Sequence, residues 1–205
     1  MTPGRLARQM LGNHFRPVGE AWRALFVDMH KVVEFMSPHI PDGSHVLDIG
    51  GGDGFVVNLL LHKRPDLSVT MTDLAAEIGT FIDKENLDRV RLLPETEFTQ
   101  VQADFDVVTM SDVLHHVPVE HRPKFFHDLA AVASGKILII KDIEPGHVRS
   151  VLSLLADRFI TGDKGVSLVS AATATKFVRD ALGVPLQIQT GMPSLANYCL
   201  VVKPS

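Results

Sequence analysis

The 205-residue chain has little cysteine, few aromatic residues and no long hydrophobic run. Its single cysteine, Cys199, excludes an intrachain disulfide and any zinc site built from several cysteines. Such cysteine usage is typical of a reducing compartment, and no signal peptide is visible, so we expect a cytoplasmic protein. No apolar run approaches the ~20 residues that a membrane-spanning helix requires. We therefore expect a soluble protein that binds no membrane.

An excess of positive charge is also missing. The chain has 20 Lys and Arg residues against 24 Asp and Glu residues, a formal net charge of −4. This balance argues against broad electrostatic attraction to nucleic acid. Aromatic side chains, on which unpaired bases stack, make up only 6% of the residues. We therefore expect no nucleic-acid partner. The length and the 45% of hydrophobic residues suit a single domain with a full core.

Short apolar strands alternate with amphipathic helices over most of the chain. Strands are predicted at residues 45–49, 67–72, 90–93, 105–110, 136–141, 184–190 and 196–203. Helices are predicted at residues 55–62, 74–82, 123–132, 148–159 and 171–182, the last one capped by Ser170 and ended by Gly183. Strands separated by helices indicate a parallel sheet. Only residues 191–194 join the last two strands, so these should pair antiparallel. The sequence predicts a three-layer, Rossmann-like α/β fold with seven mostly parallel strands, one of them reversed near the C-terminus.

The first 42 residues differ from the rest. Trp22, Leu25, Met29, Val32 and Met36 recur at helical spacing, which predicts one buried helix over residues 20–36. Two prolines follow and end it, because proline has no amide proton to donate within a helix. A sheet of this kind leaves its ligand cleft open. We therefore predict that residues 1–42 form a helical lid over a domain comprising residues 43–205.

A glycine-rich loop gives the strongest local signal. Residues 48–54 read Asp-Ile-Gly-Gly-Gly-Asp-Gly and lie between a predicted strand and a predicted helix, where α/β sheets bind ligands. A flexible turn without a ligand is the simpler alternative. A dinucleotide loop requires Gly-x-Gly-x-x-Gly/Ala, but Phe55 or Val57 stands at its last position. The Gly-Lys-Ser/Thr end of a phosphate-binding loop is also absent.

The acid followed by Gly-x-Gly-x-Gly resembles the first motif of class I S-adenosylmethionine-dependent methyltransferases. Asp48 suits that cofactor, because the cofactor carries an ammonium and a sulfonium group but no phosphate. Asp73, 19 residues after Gly54, lies where an acid hydrogen-bonds ribose hydroxyls in such folds; capping of the next helix is the alternative. The resemblance extends over residues 45–203 and implies cofactor-binding residues at Asp48, Gly50, Gly51, Gly52, Gly54, Asp73, Leu74 and Ser111. For the adenine, Glu95 and Glu97 remain alternatives.

Two adjacent histidines are candidates for catalysis. Residues 114–117 read Leu-His-His-Val and resemble the Leu-His-Asp-Trp segment of small-molecule O-methyltransferases, whose histidine is the general base. The resemblance implies His115 as the base, with His116 as the other candidate, since imidazole titrates near working pH. The carboxylate that this family has after the fifth strand aligns with Lys141. Asp142 could replace it, but alternation along a strand should point its side chain the other way. A pair that merely lines the pocket is the alternative.

Together these features predict an S-adenosylmethionine-dependent methyltransferase that acts on a small molecule at oxygen, without a bound metal. A non-catalytic domain that binds the cofactor as a regulator or partner subunit is one alternative. A nucleic-acid methyltransferase is another, disfavoured because residues 111–114 read Ser-Asp-Val-Leu rather than Asn/Asp-Pro-Pro-aromatic. A nicotinamide oxidoreductase ranks last. The sequence leaves the acceptor unidentified and a homodimer open.

Overall fold

The computed structural model describes residues 27–148, 150, 165–183, 186–194 and 196–204. Its helices there are α1 (Met29–Met36), α2 (Phe55–Lys63), α3 (Arg122–Val132) and α4 (Ala171–Leu182). Its strands are β1 (His45–Ile49), β2 (Ser68–Thr72), β3 (Val90–Leu93), β4 (Val107–Ser111), β5 (Ile137–Ile143), β6 (Leu186–Ser194) and β7 (Asn197–Pro204). They form one sheet in the order β3-β2-β1-β4-β5-β7-β6. The predicted seven-stranded architecture is confirmed.

Strand direction follows the prediction as well. The pairs among β1 to β5 are all parallel, whereas β7 runs antiparallel to both of its neighbours, β5 and β6. Strand β7 is therefore the one reversed strand. The predicted turn at residues 191–194 instead belongs to β6, where the register is irregular between Gly191 and Ser194. A Cβ at Gly191 would lie 2.3 Å from the Phe35 ring, so α1 packs directly on this backbone.

Helices cover both faces of the sheet, which explains why its central strands are buried over nearly their whole length. One face packs against α1 and α2, with Val32 and Leu61 fully buried in its core. The other face packs against α3 and α4 through residues such as Phe126, Leu129 and Val178. Ser170 caps α4 by accepting a hydrogen bond from the Thr173 amide, as predicted. The two layers fix the sheet and leave the carboxyl ends of the parallel strands to the connecting loops.

Two predicted helices differ from the structure. No helix forms at residues 74–82, because amides there bond to the glycine loop rather than to one another: Gly79 donates to Gly52 O and Phe81 donates to Asp53 O. Helix α1 begins only at Met29, since Asp28 lies outside it and caps it through the Lys31 amide. The predicted helix at 148–159 lies almost wholly outside the described residues. Its first residue, Val148, is 77% exposed.

Residues 1–26 of the predicted lid also lie outside the described residues, so a lid over residues 43–205 stays a prediction. The described part, α1, contacts α2, β6 and β7 and belongs to the core of the domain. Among the helices that the structure describes, none has both the length and the apolar character needed to cross a bilayer.

Candidate active site

The glycine loop connects β1 to α2 at the carboxyl edge of the sheet. Gly50 and Gly51 donate their amides to the Thr72 carbonyl, at 2.8 and 3.1 Å, which ties the loop to the end of β2. Gly50 has φ +67°, a left-handed conformation that favours glycine. A Cβ there would lie 2.5 Å from Val113 Cγ2, because the loop packs closely on the segment after β4. The predicted loop thus contacts the end of β2 and the segment that follows β4.

The next two glycines, Gly51 and Gly52, differ in the space around them. A Cβ on Gly51 would lie 2.3 Å from Met71 Cγ and 2.5 Å from Asp48 Oδ2. Gly52 has φ +54°, and a Cβ there would meet nothing within 4 Å. The backbone at Gly52 therefore faces open space at the mouth of the loop, whereas Gly51 lies directly over the Asp48 carboxylate. Gly54, also in the left-handed region, caps α2.

Asp48 is a buried carboxylate beneath this loop. The Thr109 hydroxyl donates a hydrogen bond of 2.6 Å to its Oδ1. Burial raises the pKa of Asp48 to about 7; the Thr109 bond opposes this rise, and the negative charge of Asp73 adds to it. A carboxylate held this way gains stabilisation from any cation that approaches the loop.

Asp73 binds the loop rather than a helix. Its Oδ2 accepts a 2.9 Å bond from the Gly52 amide, and its Oδ1 accepts a 2.9 Å bond from the Ala75 amide. No helix follows it, so the alternative that Asp73 caps one is wrong. Leu74 beside it is 72% exposed, an unusual position for a large apolar side chain. Glu95 has φ +51°, and Glu95 and Glu97 both lie exposed after β3.

Ser111 ends β4, next to the loop. Its hydroxyl oxygen is buried and has no hydrogen-bond partner among the described residues. A buried hydroxyl without a partner costs free energy. A ligand held at this edge of the sheet would supply that partner. Tyr198, at the start of β7, likewise has a buried hydroxyl with no partner within the described parts of the chain.

His115 and Asp142 form a buried pair. The two side chains are 2% and 0% exposed, and His115 Nδ1 lies 2.6 Å from Asp142 Oδ1. The His115 amide also donates to Asp142 Oδ2, at 3.3 Å. Asp142 was expected to point away from the histidine, and that expectation is wrong. The turn at Leu114–His116 carries His115 over the end of β5 to the same face as Asp142, so strand alternation did not exclude the contact. His116 is exposed and its ring lies 4.2 Å from that of His115.

Lys141, which precedes Asp142 in β5, pairs with Asp112. Both carboxylate oxygens of Asp112 accept hydrogen bonds of 2.6 Å from Lys141 Nζ, which is 1% exposed. Burial alone would raise the pKa of Asp112, but the charge and the hydrogen bond of the Lys141 ammonium outweigh burial, so the pKa is lowered. Asp112 has φ +59°, an uncommon conformation for a non-glycine residue. The ion pair of Asp112 with Lys141 and the contact of Thr109 with Asp48 were not predicted from the sequence, because no motif links residues so far apart in it.

The donor atoms of Asp112, His115 and Asp142 lie within 4.8 Å of one another, close enough to hold a metal ion. Each of these three groups already has a charged or hydrogen-bonding partner, however. The Lys141 ammonium neutralises Asp112, and the histidine bonds to Asp142. A metal ion would have to displace both contacts. The arrangement is better matched to proton transfer than to metal binding.

The site fits a cationic, nucleoside-like ligand. It offers an ionisable buried acid at Asp48, an open backbone at Gly52 and an unpaired hydroxyl at Ser111. Neither residues 48–54 nor residues 72–78 contain a lysine or arginine that could bind a phosphate. S-adenosylmethionine has the charges that these residues would accept.

Comparisons with known proteins point in the same direction. The sequence profile of a family described as methyltransferase domain matches residues 21–181. No curated protein sequence matches the chain. The fold is similar to an O-methyltransferase family protein from Burkholderia thailandensis, with a TM-score of 0.64 and 20% identity; 86% of this chain and 55% of that one are covered.

Two further solved structures share the fold. An O-methyltransferase family 2 protein from Planctomyces limnophilus, in complex with apigenin, gives a TM-score of 0.68 at 16% identity, covering 95% of this chain and 62% of that one. Human N-acetylserotonin methyltransferase, in complex with S-adenosylmethionine, gives a TM-score of 0.64 at 12% identity, and the match covers 86% of this chain and 51% of that one. The chain thus spans little more than half the length of these proteins. Since the family profile covers most of the sequence, including the glycine loop and the His115 turn, the chain belongs to the methyltransferase domain family.

Proposed function

We propose that the protein transfers the methyl group of S-adenosylmethionine to an oxygen atom of a small-molecule acceptor, with His115 as general base. The observation that carries the proposal is the buried pair of His115 and Asp142 beside a glycine loop that suits a cationic ligand. Solved structures of the same fold include O-methyltransferases, one of them in complex with the phenolic compound apigenin. These likenesses support an oxygen acceptor.

The residues that would hold the cofactor lie at the ends of β1, β2 and β4. Asp48 would face its positively charged end, the backbone at Gly52 would contact it closely, and Ser111 would supply a hydroxyl. Leu74 would cover an apolar ring surface, and Asp73 fixes the loop through the Gly52 amide. When bound, the cofactor supplies an electrophilic methyl group on a sulfonium that is a good leaving group.

The contact with Asp142 determines which ring nitrogen of His115 can accept a proton. An ionised carboxylate only accepts hydrogen bonds, so Nδ1 carries the proton and donates it to Asp142 Oδ1. In the neutral ring the lone pair then lies on Nε2, which would take the proton of an acceptor hydroxyl. The resulting imidazolium is stabilised by Asp142, whose carboxylate is fully buried and therefore poorly screened by water.

The chain's own residues also keep the rest of the site electrically balanced. Asp112 and Lys141 neutralise each other's charge, although Lys141 is buried. Alignment of the acceptor and exclusion of water are the main contributions that such a protein makes to methyl transfer.

Two measurements test the proposal. Calorimetry with S-adenosylmethionine and its demethylated product should show binding of both. Radiolabelled cofactor should transfer its label to apigenin, to other phenols or to a component of a metabolite extract. Binding without transfer to any of these would favour the non-catalytic alternative, and transfer to added RNA or DNA would favour a nucleic-acid methyltransferase. Binding of a dinucleotide in place of S-adenosylmethionine would overturn the proposal.

Variants of the two histidines test the general base. His115→Asn should lower kcat by about 100-fold or more, the range that a general base contributes, and leave cofactor affinity within about twofold, because His115 lies outside the glycine loop. His116→Asn should have a smaller effect on kcat, since the His116 side chain is exposed. His30→Asn, an exposed histidine on α1, is the matched control. Equal loss of activity in the His115 and His116 variants would contradict the assignment.

The cellular location and the oligomeric state belong to the same proposal. The chain has one cysteine, Cys199, which is buried in β7, and such sparse cysteine usage is typical of a reducing compartment. We place the protein in the cytoplasm. Light scattering of the purified protein would determine whether it forms a homodimer.

A further inference from the structure

Arg122 is a buried arginine whose role the proposed mechanism leaves unexplained. It is the first residue of α3 and only 6% exposed, and burial lowers the pKa of its guanidinium. Its hydrogen bonds in the described part of the chain go to two backbone carbonyls: Nε donates to Val117 O at 3.1 Å, and a terminal nitrogen donates to Ser167 O. Burying a cation costs free energy, and here the cation donates its hydrogen bonds to two backbone carbonyls rather than to a carboxylate. The position of these two carbonyls therefore requires an explanation.

Both carbonyls belong to segments that hold His115. Val117 directly follows the turn at Leu114–His116, and the Ser167 amide donates to the His115 carbonyl at 2.9 Å. The His115 amide in turn donates to Asp142. The guanidinium therefore connects the end of the turn to the segment before α4, and that segment binds the backbone of the histidine itself.

The chemistry of arginine suits this position. The carbonyls of Val117 and Ser167, 50 residues apart in sequence, require donors that point in fixed, different directions. A guanidinium supplies them in a rigid plane, whereas a lysine ammonium is a point charge that would reach only one of the carbonyls. Burial lowers the pKa of the Arg122 guanidinium, and the negative charge of Asp142 opposes that change.

We propose that Arg122 is a positioning residue, which holds the His115 turn so that Nδ1 stays on Asp142. As a role in catalysis, this rests on the proposed function. The geometric part does not, because it concerns a hydrogen bond that is present without cofactor or acceptor. Arg122 contacts the backbone on either side of His115 and acts through it.

The test measures the hydrogen bond between His115 Nδ1 and Asp142 directly. A contact of 2.6 Å between Nδ1 and a carboxylate should give a low-field proton resonance, assigned by its loss in His115→Asn. Arg122→Gln should abolish this resonance, and Arg122→Lys should keep it with faster exchange to solvent. In the methyl-transfer assay, kcat should fall about 10-fold or more in Arg122→Gln and less in Arg122→Lys, with affinity for S-adenosylmethionine within about twofold. Arg179→Gln, an exposed arginine on α4, is the matched control.

The possible outcomes separate the two proposals. A folded Arg122→Gln variant that keeps the resonance, its exchange rate and the parent kcat overturns the positioning role. If Arg122→Gln fails to fold, Arg122→Lys decides, since parent values for that variant overturn the role and a partial loss supports it. Failure of the parent to bind S-adenosylmethionine overturns the proposed function alone, because the resonance is measured without ligand.

Discussion

Replacing Asp48 with asparagine should stabilise the protein at neutral and alkaline pH. The Asp48 carboxylate is buried beneath the glycine loop, and burial raises its pKa from 3.8 to about 7. Asparagine has nearly the same shape, and its carbonyl oxygen can still accept the hydrogen bond from the Thr109 hydroxyl. The substitution therefore removes an unfavourable buried charge and keeps the packing.

The size of the effect follows from proton linkage. The folded protein binds the Asp48 proton more tightly than the unfolded chain does, so the free energy of unfolding falls as the pH rises between the two pKa values. A shift of about three units corresponds to about 4 kcal/mol once the group is ionised in both states. Between about pH 5 and about pH 8, the loss is about 2–3 kcal/mol. The Asp48→Asn variant lacks this loss.

Thermal unfolding of parent and variant across this pH range provides the assay. For a domain of this size, a change of 1 kcal/mol shifts Tm by about 2–4 °C. The Tm advantage of Asp48→Asn should therefore grow by roughly 5–10 °C from about pH 5 to about pH 8. Other titrating groups are common to both proteins and cancel in the difference. A Tm difference that stays constant, or that shrinks as the pH rises, would refute the reasoning.

The same variant should bind S-adenosylmethionine poorly, since it has lost the charge that favours a cation. Stability gained with binding lost would show that Asp48 is kept for its ligand. Calorimetry of the parent in buffers with different ionisation enthalpies should also detect proton release on binding near pH 7, because a bound cation favours the ionised carboxylate.

Three further substitutions test the site and its support. Gly51→Ala places a Cβ against Met71 and the Asp48 carboxylate, so affinity for S-adenosylmethionine in calorimetry should fall about 10-fold or more; an unchanged Kd would show that the loop adapts. Asn58→Ala removes a buried amide that bonds Asp83 and Asn86, and urea unfolding should show a loss of about 2–3 kcal/mol, whereas a loss below about 0.5 kcal/mol would contradict this role. Tyr198→Phe removes a buried hydroxyl that has no partner in the described residues, so stability to urea should rise by about 1 kcal/mol, and a fall would reveal a partner.

The sheet could be predicted from the sequence because its signals are local. Strand β1 has the predicted bounds, and so does β3. Short apolar runs that stop at glycine or at polar residues are typical of buried parallel strands. The reversed strand followed from the shortness of the link before it. The glycine loop was predictable for the same reason, since its residues are consecutive and their conformations depend on few others.

The contacts that could not be predicted join residues far apart in the sequence. Residues 74–82 have helical spacing, yet their amides bond to the loop at Gly52 and Asp53, which only the assembled sheet brings near. Asp142 was expected to point away from His115 because alternation describes the strand alone. The contact forms because the turn at Leu114–His116 brings His115 to the face of β5 on which the Asp142 side chain lies. Arg122 carries no motif, because its partners are backbone carbonyls of any residue type.

The direction of β7 has a practical consequence for handling the protein. Its first residues lie beside the end of β5, with Tyr198 opposite Asp142 and Asn197 opposite Ile143. Eight residues at about 3.3 Å each carry Pro204 roughly 23 Å away, to the opposite rim of the sheet. A fluorophore attached near residue 204 should therefore leave the proposed methyl transfer undisturbed, whereas one near residue 196 would lie close to Asp142.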